Sequence, residues 1–155
     1  ASSYASLQID CDWTISTRVA YFSFLEQLQA QLPPEVELSV TVRLHQYRDS
    51  KQQGIPPVGR ATLMAYNVGD LDTWATENSI LDSNITAAYL RRPPESPYPI
   101  KLDLALPFYN WGAIYREDKL VYLVNELGTK ALIDSSRFRQ LAQFYGTTSI
   151  ILPDR

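Results

Sequence analysis

Ser6-Leu7-Gln8-Ile9-Asp10-Cys11-Asp12-Trp13 alternates without a break: Leu7, Ile9, Cys11 and Trp13 fall on one side, Gln8, Asp10 and Asp12 on the other. Side chains of an extended chain point alternately to opposite faces, so this stretch predicts a strand with one apolar and one acidic face. Glu37 to Leu44 repeats the pattern, Leu38, Val40, Val42 and Leu44 opposing Ser39, Thr41 and Arg43. Lys101 to Pro107 does so again, with Asp103 on the polar side. Ala61 to Tyr66 is a compact apolar run and predicts a buried strand, Met64 and Tyr66 sharing its polar face.

Between the first two strands the period changes. Val19, Phe22, Leu25, Leu28 and Leu32 recur at three and four residues, predicting a helix over Ser16 to Leu32 with Ser16 or Thr17 as N-cap. Pro33-Pro34 stops it, since proline lacks the amide hydrogen and restricts the residue before it. Cys11 then faces the helices as an inert core residue. Arg48 to Gly59 reads as a polar loop, and Leu71 to Leu90 as a broken helical region whose second part starts at Ser83 or Asn84. The proline-rich Arg92 to Pro99 reads as an extended linker and Phe108 to Asp118 as an aromatic loop. Leu120 to Val124 fits a short strand or a helix. Ser135 to Tyr145 carries a helical stripe of Phe138, Leu141, Ala142 and Tyr145, ended by Gly146, and Thr148 to Leu152 reads as a last strand.

A chain of 155 residues with 45% hydrophobic and 20% charged side chains has the make-up of one globular domain, so residues 1–155 are expected to form a single domain. A net charge of −3 excludes a broadly basic nucleic-acid surface. No apolar run approaches the ~18 residues of a membrane helix. One cysteine, Cys11, excludes an intrachain disulfide, and with a single histidine, His45, it excludes a Cys/His zinc site. Neither a cofactor nor a metal is expected.

Alternating strands and helices predict an α/β fold with a mainly parallel sheet. Strands of open doubly wound sheets are apolar on both faces. These strands have one polar face, which suits a barrel whose interior leads to a site at the strands' carboxyl ends. The alternative is a mixed sheet with one solvated face.

Four pieces, in order, resemble the C-terminal half of a family 18 glycoside hydrolase barrel, the chitinase-like clan. Leu7 to Thr14 is similar to that clan's fourth-strand motif D-x-x-D-x-D-x-E. Asp10 and Asp12 match its second and third acids, whereas Leu7 stands in place of the first Asp and Thr14 in place of the catalytic Glu. Leu63-Met64-Ala65-Tyr66-Asn67 resembles the sixth-strand M-x-Y-D, with Asn67 for the Asp. Leu104 to Gly112, with Pro107, Tyr109 and Trp111, resembles the seventh-strand segment ending in P-x-Y-G, and Ile150 to Asp154 an eighth strand. The chain looks more similar to bacterial relatives of the clan with a Q-x-D-x-D strand than to working chitinases.

The resemblance implies a parallel-stranded partial (β/α) barrel of about five strand-helix units, carrying strands four to eight. Its partners would be a glycan and, at the open sheet edges, another chain or the missing barrel half. By family likeness it implies a secreted or periplasmic protein. It also implies substrate-binding roles for Asp10, Asp12, Tyr66, Asn67, Tyr109 and Trp111, and no family catalytic acid in this chain, because a threonine hydroxyl is far too weak an acid to protonate a glycosidic oxygen; catalysis would need an acid supplied by the missing barrel half. Read on their own chemistry, Asp10 and Asp12 point the same way, about 6.6–7 Å apart. There they orient a substrate group, hold a cation, or pair with Arg43 within the sheet. Tyr109 and Trp111 stack on sugars or seal the rim. His45 is a general base only if a partner faces it, and otherwise a capping or surface group.

Overall fold

The computed structural model describes residues 5–91, 97–126, 139–144 and 147–151. They fall in two compact units, the first within Ala1–Tyr66 and Ser83–Leu106, the second within Asn67–Asp82 and Pro107–Arg155.

The first unit is built on four parallel strands, β1 (Ser6–Ile9), β2 (Glu37–Arg43), β3 (Arg60–Met64) and β4 (Lys101–Ala105), in the consecutive order β1-β2-β3-β4. Between them run α1 (Arg18–Gln31), then α2 (Leu44–Arg48) and α3 (Ser50–Gln53), then α4 (Ser83–Leu90). Each connection sets the next strand beside the last, and the order never reverses as it does in a doubly wound sheet.

Register settles which residues share a face. Gln8 lies beside Ser39, Ser39 beside Arg60, and Arg60 beside Lys101; two residues along, Thr41, Thr62 and Asp103 line up, and then Arg43, Met64 and Ala105. The predicted polar positions that lie within the paired strands, Gln8, Ser39, Thr41, Arg43, Met64 and Asp103, share this face. The opposite face carries Leu38, Val40, Val42, Ala61 and Leu63, all buried. Against the same core lie Trp13 and Leu25, and Trp13 stacks on Tyr21 at 5.5 Å and meets Phe22 edge-on at 5.7 Å. The Trp13 indole N–H donates to the Gln53 carbonyl at 2.9 Å, satisfying the polar end of a ring that is otherwise sealed in.

Several expectations need correction. In α1 Tyr21 and Leu25 are buried and Phe22 and Leu28 half-buried, whereas Val19 is 73% exposed, because two residues of helix place it about 200° around from Tyr21. Cys11 is exposed and not a core residue, since it lies beyond the end of β1, where pairing no longer presses its face onto the helices. The polar stretch after β2 contains two short helices, α2 and α3; His45 lies in α2 and is exposed, a surface position. Of the broken helical region expected over Leu71 to Leu90, the second part is helix, Ser83–Leu90, and the first part is not. The turns before it are held by Asp70, which accepts from the Asp72 N–H at 2.9 Å and the Thr73 hydroxyl at 2.8 Å. Asp side chains that bond nearby backbone compete with helix formation.

The second unit departs most. Trp111–Arg116 (β5) and Lys119–Asn125 (β6) form an antiparallel hairpin where an aromatic loop was expected to reach Asp118. Glu117 and Asp118, both at positive φ, make its two-residue turn. Arg139–Phe144 (β7) pairs antiparallel with Thr147–Ile151 (β8), so the helix expected over Ser135 to Tyr145 is a strand where it is described. The last strand is present, but it joins this hairpin and does not extend the parallel sheet. The linker expected over Arg92 to Pro99 lies mostly outside the described residues. The chain is thus α/β, with a four-stranded parallel sheet and antiparallel hairpins. No described helix is long and apolar enough to cross a membrane.

Candidate functional site at the carboxyl end of the parallel sheet

Asp10 and Asp12 lie just past β1, at the carboxyl end of the sheet. Continuing the register of Ile9 with Val40 sets Asp10 beside Thr41 and Asp12 beside Arg43. Hydrogen bonds join those pairs. The Thr41 hydroxyl donates to Asp10 Oδ1 at 2.7 Å, and Arg43 Nε donates to Asp12 Oδ1 and Oδ2 at 2.9 and 3.1 Å. The bond from Asp12 raises the Arg43 pKa above its ordinary value, against the opposing effect of partial burial, and the nearby Tyr66 and Asp10 add to the rise. Asp10, Asp12, Arg43 and Tyr66 therefore share one electrostatic neighbourhood.

Toward the other end of this face, Arg60 bridges Glu37 at 3.4 Å and Asp103 at 3.0 Å, and the Gln8 amide donates to the Thr62 hydroxyl at 2.7 Å. The face is thus a ladder of cross-strand polar pairs, as strand neighbours on one face allow.

Gln46 was not foreseen. It is completely buried; its Oε1 accepts from the Arg43 N–H at 2.8 Å and its Nε2 donates to the Trp13 carbonyl at 2.9 Å. One amide thereby ties the backbone of both residues around the Asp12–Arg43 pair, making Gln46 a positioning residue. The available signal was spacing: a Gln three residues after a helix start often reaches back to the N-cap N–H.

Thr14 sits in the turn into α1. Its carbonyl accepts from Arg18 N–H at 2.9 Å, and its hydroxyl lies 2.9 Å from Ser16 Oγ and 3.2 Å from Thr17 Oγ1. The hydroxyl is engaged locally, and the position holds no carboxyl group.

The remaining predicted residues belong to the second unit. Asn67, at φ 57°, accepts at Oδ1 from the Tyr109 hydroxyl at 2.5 Å. The Tyr109 and Trp111 rings are tilted together at 5.4 Å, and the Trp111 indole N–H donates to Ser79 Oγ at 3.1 Å. Asn67, Tyr109 and Trp111 therefore form one cluster, while Asp10, Asp12 and Tyr66 each act on Arg43. No group of three or more His, Cys, Asp or Glu suited to a metal ion occurs among the described residues.

The chain matches no family model, no curated protein and no solved structure.

Proposed function

We propose that this chain is part of a chitinase-like (β/α) barrel, from its fourth strand onward, that binds a glycan and has lost the family acid. The observation that carries the reading is the placement of Asp10 and Asp12 on the polar face, at the carboxyl end of a consecutively wound parallel sheet, with Thr14 two residues on. Consecutive winding with helical connections is how a (β/α) barrel is built, and its sites lie at the carboxyl ends of the strands. Asn67, Tyr109 and Trp111 supply the ring faces and directional hydrogen bonds that sugar recognition uses. Cleavage would need a proton donor to a poor leaving group, a contribution of ~10²–10⁴-fold that a threonine does not provide.

The test is a pair of assays: turnover of chitin oligosaccharides, and calorimetric binding across a glycan panel with wild type and Trp111→Ala. No turnover, with binding weakened by Trp111→Ala, supports the reading. Turnover abolished by Thr14→Ala overturns the loss of the acid. Binding of nothing on the panel overturns the glycan.

A second reading is an assembly module that docks another chain on its open sheet edge. It is favoured by β4, an edge strand of the described sheet whose Leu104 and the following Leu106 are 56% and 64% exposed. Sedimentation that finds only monomer across a wide concentration range rejects self-docking there.

A further inference from the structure

The pairing at the carboxyl end of the sheet is unequal, and the inequality says what kind of sugar fits. Asp12 has both oxygens on Arg43. Asp10 has no ion pair among the described residues, and only its Oδ1 is used, by Thr41. Two carboxylates against one guanidinium leave this end with one net negative charge, carried by an exposed Asp10. The Thr41 hydrogen bond restricts the carboxylate's rotation and leaves Oδ2 as an oriented acceptor. Two residues back on the same face, the Gln8 Nε2 is spent on Thr62, so its Oε1 is a second acceptor. On the neighbouring strand the reverse holds: Arg43 uses Nε, and its Nη groups remain as donors.

We propose that this end takes a cationic amino sugar, a hexosamine unit with a free ammonium group, received by Asp10 and assisted by Gln8, its neighbouring hydroxyl oxygens accepting from Arg43 Nη. The inference rests on the glycan reading above and deepens it. An ammonium brings three donors and one positive charge to acceptors that lack a donor, and ion pairing with a fixed carboxylate is stronger than a neutral hydrogen bond. An anionic sugar is disfavoured, because the guanidinium it would seek is already neutralised by Asp12. No group of three or more His, Cys, Asp or Glu suited to a divalent cation occurs here among the described residues. An N-acetylated unit would present one amide N–H and no charge, and would leave Asp10 uncompensated.

The experiment is calorimetry with three tetrasaccharides: glucosamine, N-acetylglucosamine and glucose, each β-1,4-linked. The glucosamine tetramer is expected to bind wild type at least ten-fold tighter than the other two, with the advantage shrinking at high salt. Asp10→Asn keeps the size of the side chain and an oxygen for Thr41. It should remove the ten-fold preference and leave the far-ultraviolet spectrum unchanged. Thr41→Val, which frees the carboxylate to rotate, should reduce the preference partially. Equal or tighter binding of the N-acetylated tetramer, or a preference that survives Asp10→Asn, overturns the amino sugar while the glycan reading stands. Binding of none of the three, nor of any sugar on the wider panel, overturns both.

Discussion

Arg43 Nε is shared between the two carboxylate oxygens of Asp12, at 2.9 and 3.1 Å, and so links the carboxyl ends of two neighbouring strands through side chains alone. The pair is partly open to solvent, with side-chain exposures of 33% for Arg43 and 53% for Asp12. Its value to the fold is accordingly small. A double-mutant cycle of Asp12→Asn and Arg43→Gln should give a coupling below about 1 kcal/mol, falling further as salt is added. A coupling of several kcal/mol in urea titrations would mean that the pair is a structural keystone and not a surface available to ligand.

Gln46 is predicted to matter more to stability than the ion pair it positions. Gln46→Leu strands the Arg43 N–H and the Trp13 carbonyl in a dry place, and each lost partner costs ~1–3 kcal/mol. Urea denaturation should register a loss of ~2–6 kcal/mol. A variant as stable as wild type would show that water or a shifted backbone satisfies both groups.

Tyr21 should set the alkaline limit of stability. Burial, with the charges of Cys11, Asp10 and Asp12 behind it, pushes the phenol up from 10.0 to about 12. A group whose folded pKa exceeds its unfolded one contributes fully below the unfolded value and loses that contribution as pH rises to the folded one. Stability should therefore decline between pH 10 and 12. The Tyr21 hydroxyl is buried with no hydrogen-bond partner among the described residues, so Tyr21→Phe should be neutral or stabilising at pH 8 and should flatten the alkaline decline. Melting temperatures of the two proteins at pH 8 and 11 decide it.

At Gly54 the chain passes close to α1. Its φ is +81°, and an added Cβ would come within 2.6 Å of Arg18 Cδ and 2.9 Å of Phe22 Cε2. Gly54→Ala should destabilise by ~1 kcal/mol or more, since backbone strain and collision add. The same substitution at Gly59, where a Cβ meets nothing within 4 Å, is the control, expected to change the urea midpoint little. Equal effects at the two sites would refute the steric account.

Within β1 and β2 the alternation was enough to say which residues share a face, because extended backbone turns successive side chains to opposite sides whatever surrounds it, whereas Cys11 and Leu44 lie past the strand ends and escape that rule. Asp10, Asp12 and Arg43 were legible on that ground as members of one polar surface. Which acid meets which partner was not legible. It depends on register between strands about 30 residues apart in sequence, and register is a property of pairing, not of either strand alone. The same holds for Gln46, whose worth comes from two backbone groups, of Trp13 and Arg43, brought to it from segments about 30 residues apart. Residues 139–144 carry a stripe that fits a helix, yet they pair with 147–151, separated from them by only two residues. A short apolar segment fits either state locally, and the partner decides. Local spacing thus determined the faces and the chemistry displayed on them. The tertiary structure decided the pairings, since those hydrogen bonds join atoms that only the folded chain brings within reach.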